Sequence, residues 1–188
     1  MYIEDKEYEK INAIRVLIKI SIVNSRAEIA EKLNLGEGVT RRILDLLKSK
    51  GFIISTNKGH KYTENGKLLI KKIKKNLYLT KNITTKLYPG YKNTAILVKD
   101  YNKTKLDYKL RDVAIRNGAQ SAIIFCCKNK NLKLPDCSYD SEEFKKIQKN
   151  FILTENDVLI ITFAKEQVVS DISCLFAAYE VSSCLKVF

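Results

Sequence analysis

Apolar residues recur at helical spacing over residues 5–22, at Ile11, Ile14, Leu17 and Ile18, with Ser21 on the same line. This period predicts a first helix with one buried stripe. Its first turns hold acidic residues, which the helix dipole favours there. Ser25 and Glu28 stand at capping-box spacing and open a second, short helix with Ile29 and Leu33 inward, which Asn34-Leu35-Gly36 breaks. A third helix is predicted from about Glu37 to Gly51, with Val39, Ile43, Leu46 and Leu47 as its apolar positions and Glu37, Arg41, Asp45 and Lys48 on the opposite face. The Phe52–Ser55 stretch reads as a strand, 56–59 as a turn, and 60–62 as the returning strand. Thr63 caps a fourth helix to about residue 78, with Leu68, Leu69, Ile70 and Ile73 on its apolar side.

The pattern then changes. Residues 79–93 lack helical period, contain Pro89-Gly90, and read as a linker with room for some extended structure. Beyond it, continuous apolar runs predict strands at 95–98, 121–127 and 157–164, with a brief strand at 132–134 after the turn 128–131. Helices are predicted at 105–117, at 141–150 opened by Asp140 and Glu143, and at 166–180 with Val168, Ile172, Leu175, Phe176 and Tyr179 in phase. The predicted fold class is therefore α+β. A helix-turn-helix with a hairpin wing (residues 1–78) precedes a small βαββαβ, ferredoxin-like domain with a final helix (residues 94–188).

The runs GEGVTRRILDLLKSKGFI and NKGHKYTENGK carry a family resemblance. They resemble the winged-helix modules of archaeal and bacterial regulators, most closely an archaeal group of transcriptional regulators with a short C-terminal domain of unknown function. The similarity is good over about 25–78 and vaguer beyond, although LRDVAIRNGAQSA resembles the same group. The resemblance implies that the helix 37–50 enters the DNA major groove. Arg41 is then the first choice for base reading, since a guanidinium pairs with guanine through two hydrogen bonds. Glu37, Thr40 and Arg42 would be its neighbours in the groove, and Lys58, His60 and Lys61 on the wing would meet phosphates or the minor groove. Outside this motif, paired arginines are ordinary solvated helix charges. The lysines at 71, 72, 74 and 75 read as a solvated face that adds a diffuse field.

Charge sharpens this division. The net charge of the 188 residues is +13. Residues 1–92 hold 20 Lys+Arg against 9 Asp+Glu, and residues 93–188 hold 14 against 12. One half is built to meet anions and the other is nearly neutral. A membrane-surface role fits less well, because the basic helix carries neither Trp nor Phe on its apolar face. No secretory signal and no run long enough to span a bilayer are evident, so a cytoplasmic protein is expected. The five cysteines are expected to be reduced. Cys126 and Cys127 should point to opposite faces of one strand, and no CxxC pair suggests a metal.

Chemistry is not legible in the second half. It contains neither GxxxxGK nor GxGxxG, and the single histidine lies in the wing, so no catalytic residue, metal or cofactor is expected. Asp107, Arg111, Asp112 and Arg116 form a polar side of the helix 105–117. They read as the lining of an effector pocket, as a dimer contact, or as a solvated face. By analogy with regulators resembling leucine-responsive proteins, this domain would dimerise or bind a small metabolite. The expectation is a homodimeric, sequence-specific regulator of double-stranded DNA with a possible small-molecule effector. A winged helix directed at RNA or a protein assembly, or an enzyme fused to a DNA-binding domain, are the alternatives.

Overall fold

The computed structural model describes residues 2–20, 25–99, 101, 109–135 and 141–187, with side chains from Lys6 onward. The chain divides into two units, residues 1–74 with 187–188, and residues 75–186. Among the described residues it is a mixed α+β protein with two antiparallel sheets. No helix among them is long and apolar enough to cross a membrane.

In the first unit, α1 (Tyr2–Lys19), α2 (Arg26–Leu33) and α3 (Glu37–Ser49) surround a core of Ile11, Ile14, Leu17, Ile29, Leu33, Ile43, Leu44 and Leu47. The α1 helix is buried on every side from Ile11 to Leu17, so it must also inter Asn12 and Arg15. Arg15 offsets that cost by hydrogen bonding. Its guanidinium donates to Asn12 Oδ1 at 2.6 Å and to the Leu33 carbonyl at 3.0 Å, which satisfies an orphan acceptor at the end of α2. Ser25 and Glu28 form the full capping box, and Asn34 closes α2 in the left-handed conformation.

Gly51 (φ +70°) leads from α3 into the hairpin of β1 (Ile53–Thr56) and β2 (Gly59–Tyr62), joined by the two-residue turn Asn57-Lys58. The Tyr62 hydroxyl donates to the Ile20 carbonyl at 2.5 Å and also to that of Leu17, tying β2 to the end of α1. Its burial pushes the phenol pKa up to about 12. Thr63 then starts α4 (Glu64–Asn76): Gly66 N–H donates to its Oγ1 at 3.0 Å, and that hydroxyl donates to the Gly51 carbonyl at 2.6 Å. Leu69, Ile70 and Ile73 of α4 are buried. Leu68, expected among them, is 66% exposed, because one apolar residue more than the stripe can hold falls on the far side.

The second unit corrects two expectations. Residues 79–93 are not a linker. The chain passes from α4 directly into β3 (Leu77–Lys81), which pairs antiparallel with β4 (Lys92–Val98) over its full length. The intervening loop folds onto the sheet. Buried Asn93 accepts from Ile83 N–H at 2.8 Å and donates to Ile83 O at 3.1 Å. Lys86 N–H donates to the Glu143 carboxylate at 2.6 Å, and the Tyr88 ring lies 4.7 Å from that of Phe163. With its polar backbone thus satisfied, the segment is held in place.

The second correction concerns topology. Alternation of strand and helix follows the expected order through β4, α5 (Lys109–Arg116), β5 (Ser121–Lys128), β6 (Asn131–Lys133), α6 (Glu142–Gln148), β7 (Val158–Ala164) and α7 (Gln167–Val181). The sheet order is β3-β4-β7-β5-β6, however, with every pairing antiparallel. The last strand thus lies in the middle, whereas the ferredoxin-like pattern leaves it at an edge. All seven residues of β7 are buried, and a strand that is apolar on both faces gains most at the centre of a covered sheet. One face packs on α5 and α7. The other carries Ala95, Leu97, Phe125, Leu159, Ile161 and Phe163 against Phe144, Ile147, Phe151 and Leu153. The opener of α6 is Ser141, whose Oγ accepts from Phe144 N–H at 3.2 Å; Asp140, expected in that role, lies outside the described residues.

Candidate nucleic-acid interface

The apolar stripe of α3 is Thr40, Ile43, Leu44 and Leu47, rotated slightly from the expected Val39, Ile43, Leu46 and Leu47. The rotation decides which side chains face outward. Thr40 was expected at the groove, but it is fully buried and its hydroxyl donates to the Gly36 carbonyl at 3.0 Å. It belongs to the core, because a small residue whose hydroxyl bonds its own helix can occupy that stripe cheaply. Glu37, Arg41, Asp45 and Lys48 recur at i, i+4, i+8 and i+11 and are all exposed, and exposed Arg42 flanks the row.

This row is laced with charge. Lys48 Nζ lies 2.6 Å from Asp45 Oδ1. The hydrogen bond from Lys48 is the main cause holding the Asp45 carboxyl below the usual range, with smaller contributions from the charges of Lys48, Arg41 and His60. Arg26, the first residue of α2, reaches to 3.7 Å from Glu37 Oε2 and also acts on His60. The start of α2 and the outer face of α3 therefore meet at one ion pair, and charges from both reach His60 of β2. Arg26 escaped the sequence reading. Its nearness to Glu37 arises only in the folded unit, where the chain turns at Asn34-Leu35-Gly36 and α3 packs back against α2.

Hairpin alternation separates Lys58, His60 and Lys61. His60 stands opposite Ser55, with Ser55 Oγ and His60 Nδ1 at 3.2 Å. It shares the hairpin face of Tyr62 and Ile53, which turns toward the helices. Lys61 pairs with Ile54 on the other face, and both are exposed. Lys58 sits exposed in the turn, its N–H donating to Thr56 Oγ1 at 3.3 Å. Of these three, then, His60 faces the side of the α3 row, Lys58 marks the tip, and Lys61 looks away. The start of α3 is sterically open: a Cβ added at Gly36 or Gly38 would meet nothing within 4 Å. Gly36 provides no side-chain cap, so the first N–H groups of α3 are not capped by a side chain.

Burial is the main cause holding His60 below its ordinary 6.5, followed by the Lys48 charge, while Asp45 pulls the other way. A lowered folded pKa means that the unfolded chain binds the proton more readily. Stability from this group is complete above about pH 6.5 and declines as pH falls from there toward the lowered folded value. Since His60 is the only histidine, a single imidazole NMR signal reports it. Its titration midpoint is expected below 6.5, and a midpoint at or above 6.5 would contradict this packing.

The residues expected to line an effector pocket lie as follows. Arg111, Asp112 and Arg116 are exposed on α5, and Asp107 lies outside the described residues. Cys126 is half-buried and donates to the Lys133 carbonyl at 3.3 Å. Its neighbour Cys127 is buried on the opposite face beside Leu132, with burial pushing its thiol up to about 11. Among the described residues no group of three or more His, Cys, Asp or Glu is placed to hold a metal, and Cys137 lies outside them.

Residues 8–68 match the family model described as PH0730-like, N-terminal domain. Residues 89–181 match a domain of unknown function, DUF4443. Among solved structures, the chain is similar to the hypothetical protein PH0730 from the archaeon Pyrococcus horikoshii OT3. The two are 28% identical, the match covers 93% of this chain and 91% of that one, and the TM-score is 0.74. No curated protein matches.

Proposed function

We propose that this chain, similar along most of its length to the Pyrococcus protein, is a sequence-specific binder of double-stranded DNA that acts as a transcriptional regulator. In this reading residues 1–74 form a winged helix-turn-helix. The outer face of α3 enters the major groove from its N-terminal end, and the β1–β2 hairpin rests on the backbone as the wing. One observation carries it: the exposed row Glu37, Arg41, Asp45 and Lys48 on α3, flanked by Arg26 and His60 from two other elements, beside glycines that leave room for close approach. Arg41 reads a base, with Arg42 and Lys58 toward phosphates. The second unit dimerises the protein or senses a ligand, so that two α3 helices meet half-sites about one helical turn apart.

The test is duplex affinity by fluorescence anisotropy at several salt concentrations, on sites enriched by selection and on random DNA. The wild type should bind its selected site at least about a thousandfold tighter than random duplex. Arg41→Ala should lose about tenfold on the selected site and leave random binding nearly intact. Equal affinity for all sequences, vanishing with salt, would instead describe a nonspecific polyanion grip.

A further inference from the structure

Arg41 is bracketed by carboxylates. Glu37 precedes it and Asp45 follows it, each by four residues, so acid, base and acid stand one above the other on exposed helix surface. Each acid has a basic neighbour. Arg26 stands by Glu37 at 3.7 Å, and Lys48 stands by Asp45 at 2.6 Å. The Asp45 side chain is nonetheless 54% exposed. A surface built only to grip phosphates would gain nothing from an exposed acid in its middle, because a carboxylate repels the backbone. An ionised carboxylate has only acceptors to offer. In the major groove the donors are the amino groups of cytosine and adenine, whereas guanine and thymine present acceptors there.

We propose that Asp45 is a specificity-determining residue of the α3 surface, accepting from the amino group of cytosine or adenine and penalising any other base at its position. This rests on the DNA-binding reading above. Arg41 and Asp45 are separated by about 6 Å along the helix axis, on the order of two base steps. The pair therefore demands a guanine at one position and an amino-bearing base on the order of two steps away. On the correct site the base amino group replaces Lys48 as partner of the carboxylate, and Lys48 is released to a phosphate. On a wrong site the carboxylate stays against Lys48 and faces acceptors, which disfavours engagement of the whole helix.

The test compares wild type, Asp45→Asn, Lys48→Gln and the double variant on the selected site and on random duplex. Asparagine keeps the shape, loses the charge, and offers both a donor and an acceptor. Asp45→Asn should tighten binding to random DNA and lower the selected-to-random ratio about tenfold. Repeating the selection with Asp45→Asn should relax one position while the guanine read by Arg41 persists. In the Lys48→Gln background the same drop in ratio should remain. An unchanged ratio, or parallel weakening on both DNAs, would overturn the assignment. So would a Lys48→Gln variant that reproduces the effect alone, since Asp45 would then act only by holding Lys48. A wild type without sequence preference would remove the DNA-binding reading itself, and this assignment with it.

Discussion

Replacing Gly66 by alanine is expected to destabilise the first unit by more than about 3 kcal/mol, the range of substitutions that force backbone apart. Intrinsic preference argues the other way, since alanine in a helix is favoured over glycine by about 1 kcal/mol. Sterics decide the sign. A Cβ at Gly66 would lie 2.0 Å from the Phe52 carbonyl oxygen, well inside any real contact. That oxygen cannot retreat cheaply, because it accepts from Thr63 N–H at 3.0 Å. Thr63 is itself fixed between the Gly51 carbonyl and the Gly66 N–H. Moving α4 away would therefore break its own cap and pull on the strand that follows α3. Residue-resolved hydrogen exchange provides the check. Amides of α3, β1 and α4 should lose protection in Gly66→Ala, and retention of wild-type protection would show that the α4–Phe52 approach is not as close as described.

Phe163→Ala should cost the second unit about 3–5 kcal/mol, as for other buried aromatics cut back to a methyl. Phe163 is fully buried on β7, between Asn93 of β4 and Ser121 of β5, and the Tyr88 ring of the loop 82–91 lies on it. The truncation opens a cavity on the central strand and removes the surface on which that loop rests. Phe163→Leu keeps most of the volume and should cost under about 1.5 kcal/mol. Urea unfolding distinguishes the two, with the alanine midpoint falling well below the leucine midpoint at similar slope. Equal midpoints would mean that the site collapses around the loss and that the loop does not depend on it.

The candidate surface was partly legible in advance. Arg41 and Glu37 follow from helical period alone, because residues four apart share a face. Thr40 was misplaced because a stripe read from Val39 and Leu46 differs from the true one by only part of a turn. Threonine scores as polar in a pattern, yet it satisfies its hydroxyl on its own helix. The nearness of Arg26 and His60 to the α3 row could not be read from spacing. It arises from the return of the hairpin and the turn between α2 and α3.

What the sequence by itself determined is local. The Ser25–Glu28 box, the Asn34 and Gly51 stops, the placing of a hairpin turn within 56–59 and the opposite faces of Cys126 and Cys127 depend on hydrogen bonds and periodicities within a few residues. The concentration of positive charge in residues 1–92 is likewise a property of the sequence. Only the tertiary structure decided that Leu77–Lys81 is a strand, that the loop after it packs onto the sheet, and that β7 runs between β4 and β5. Those outcomes rest on pairing between residues far apart in the chain. Leu77–Lys81 gains its hydrogen bonds only when β4 lies beside it, and the largely apolar β7 finds both its faces covered only at the centre of the sheet.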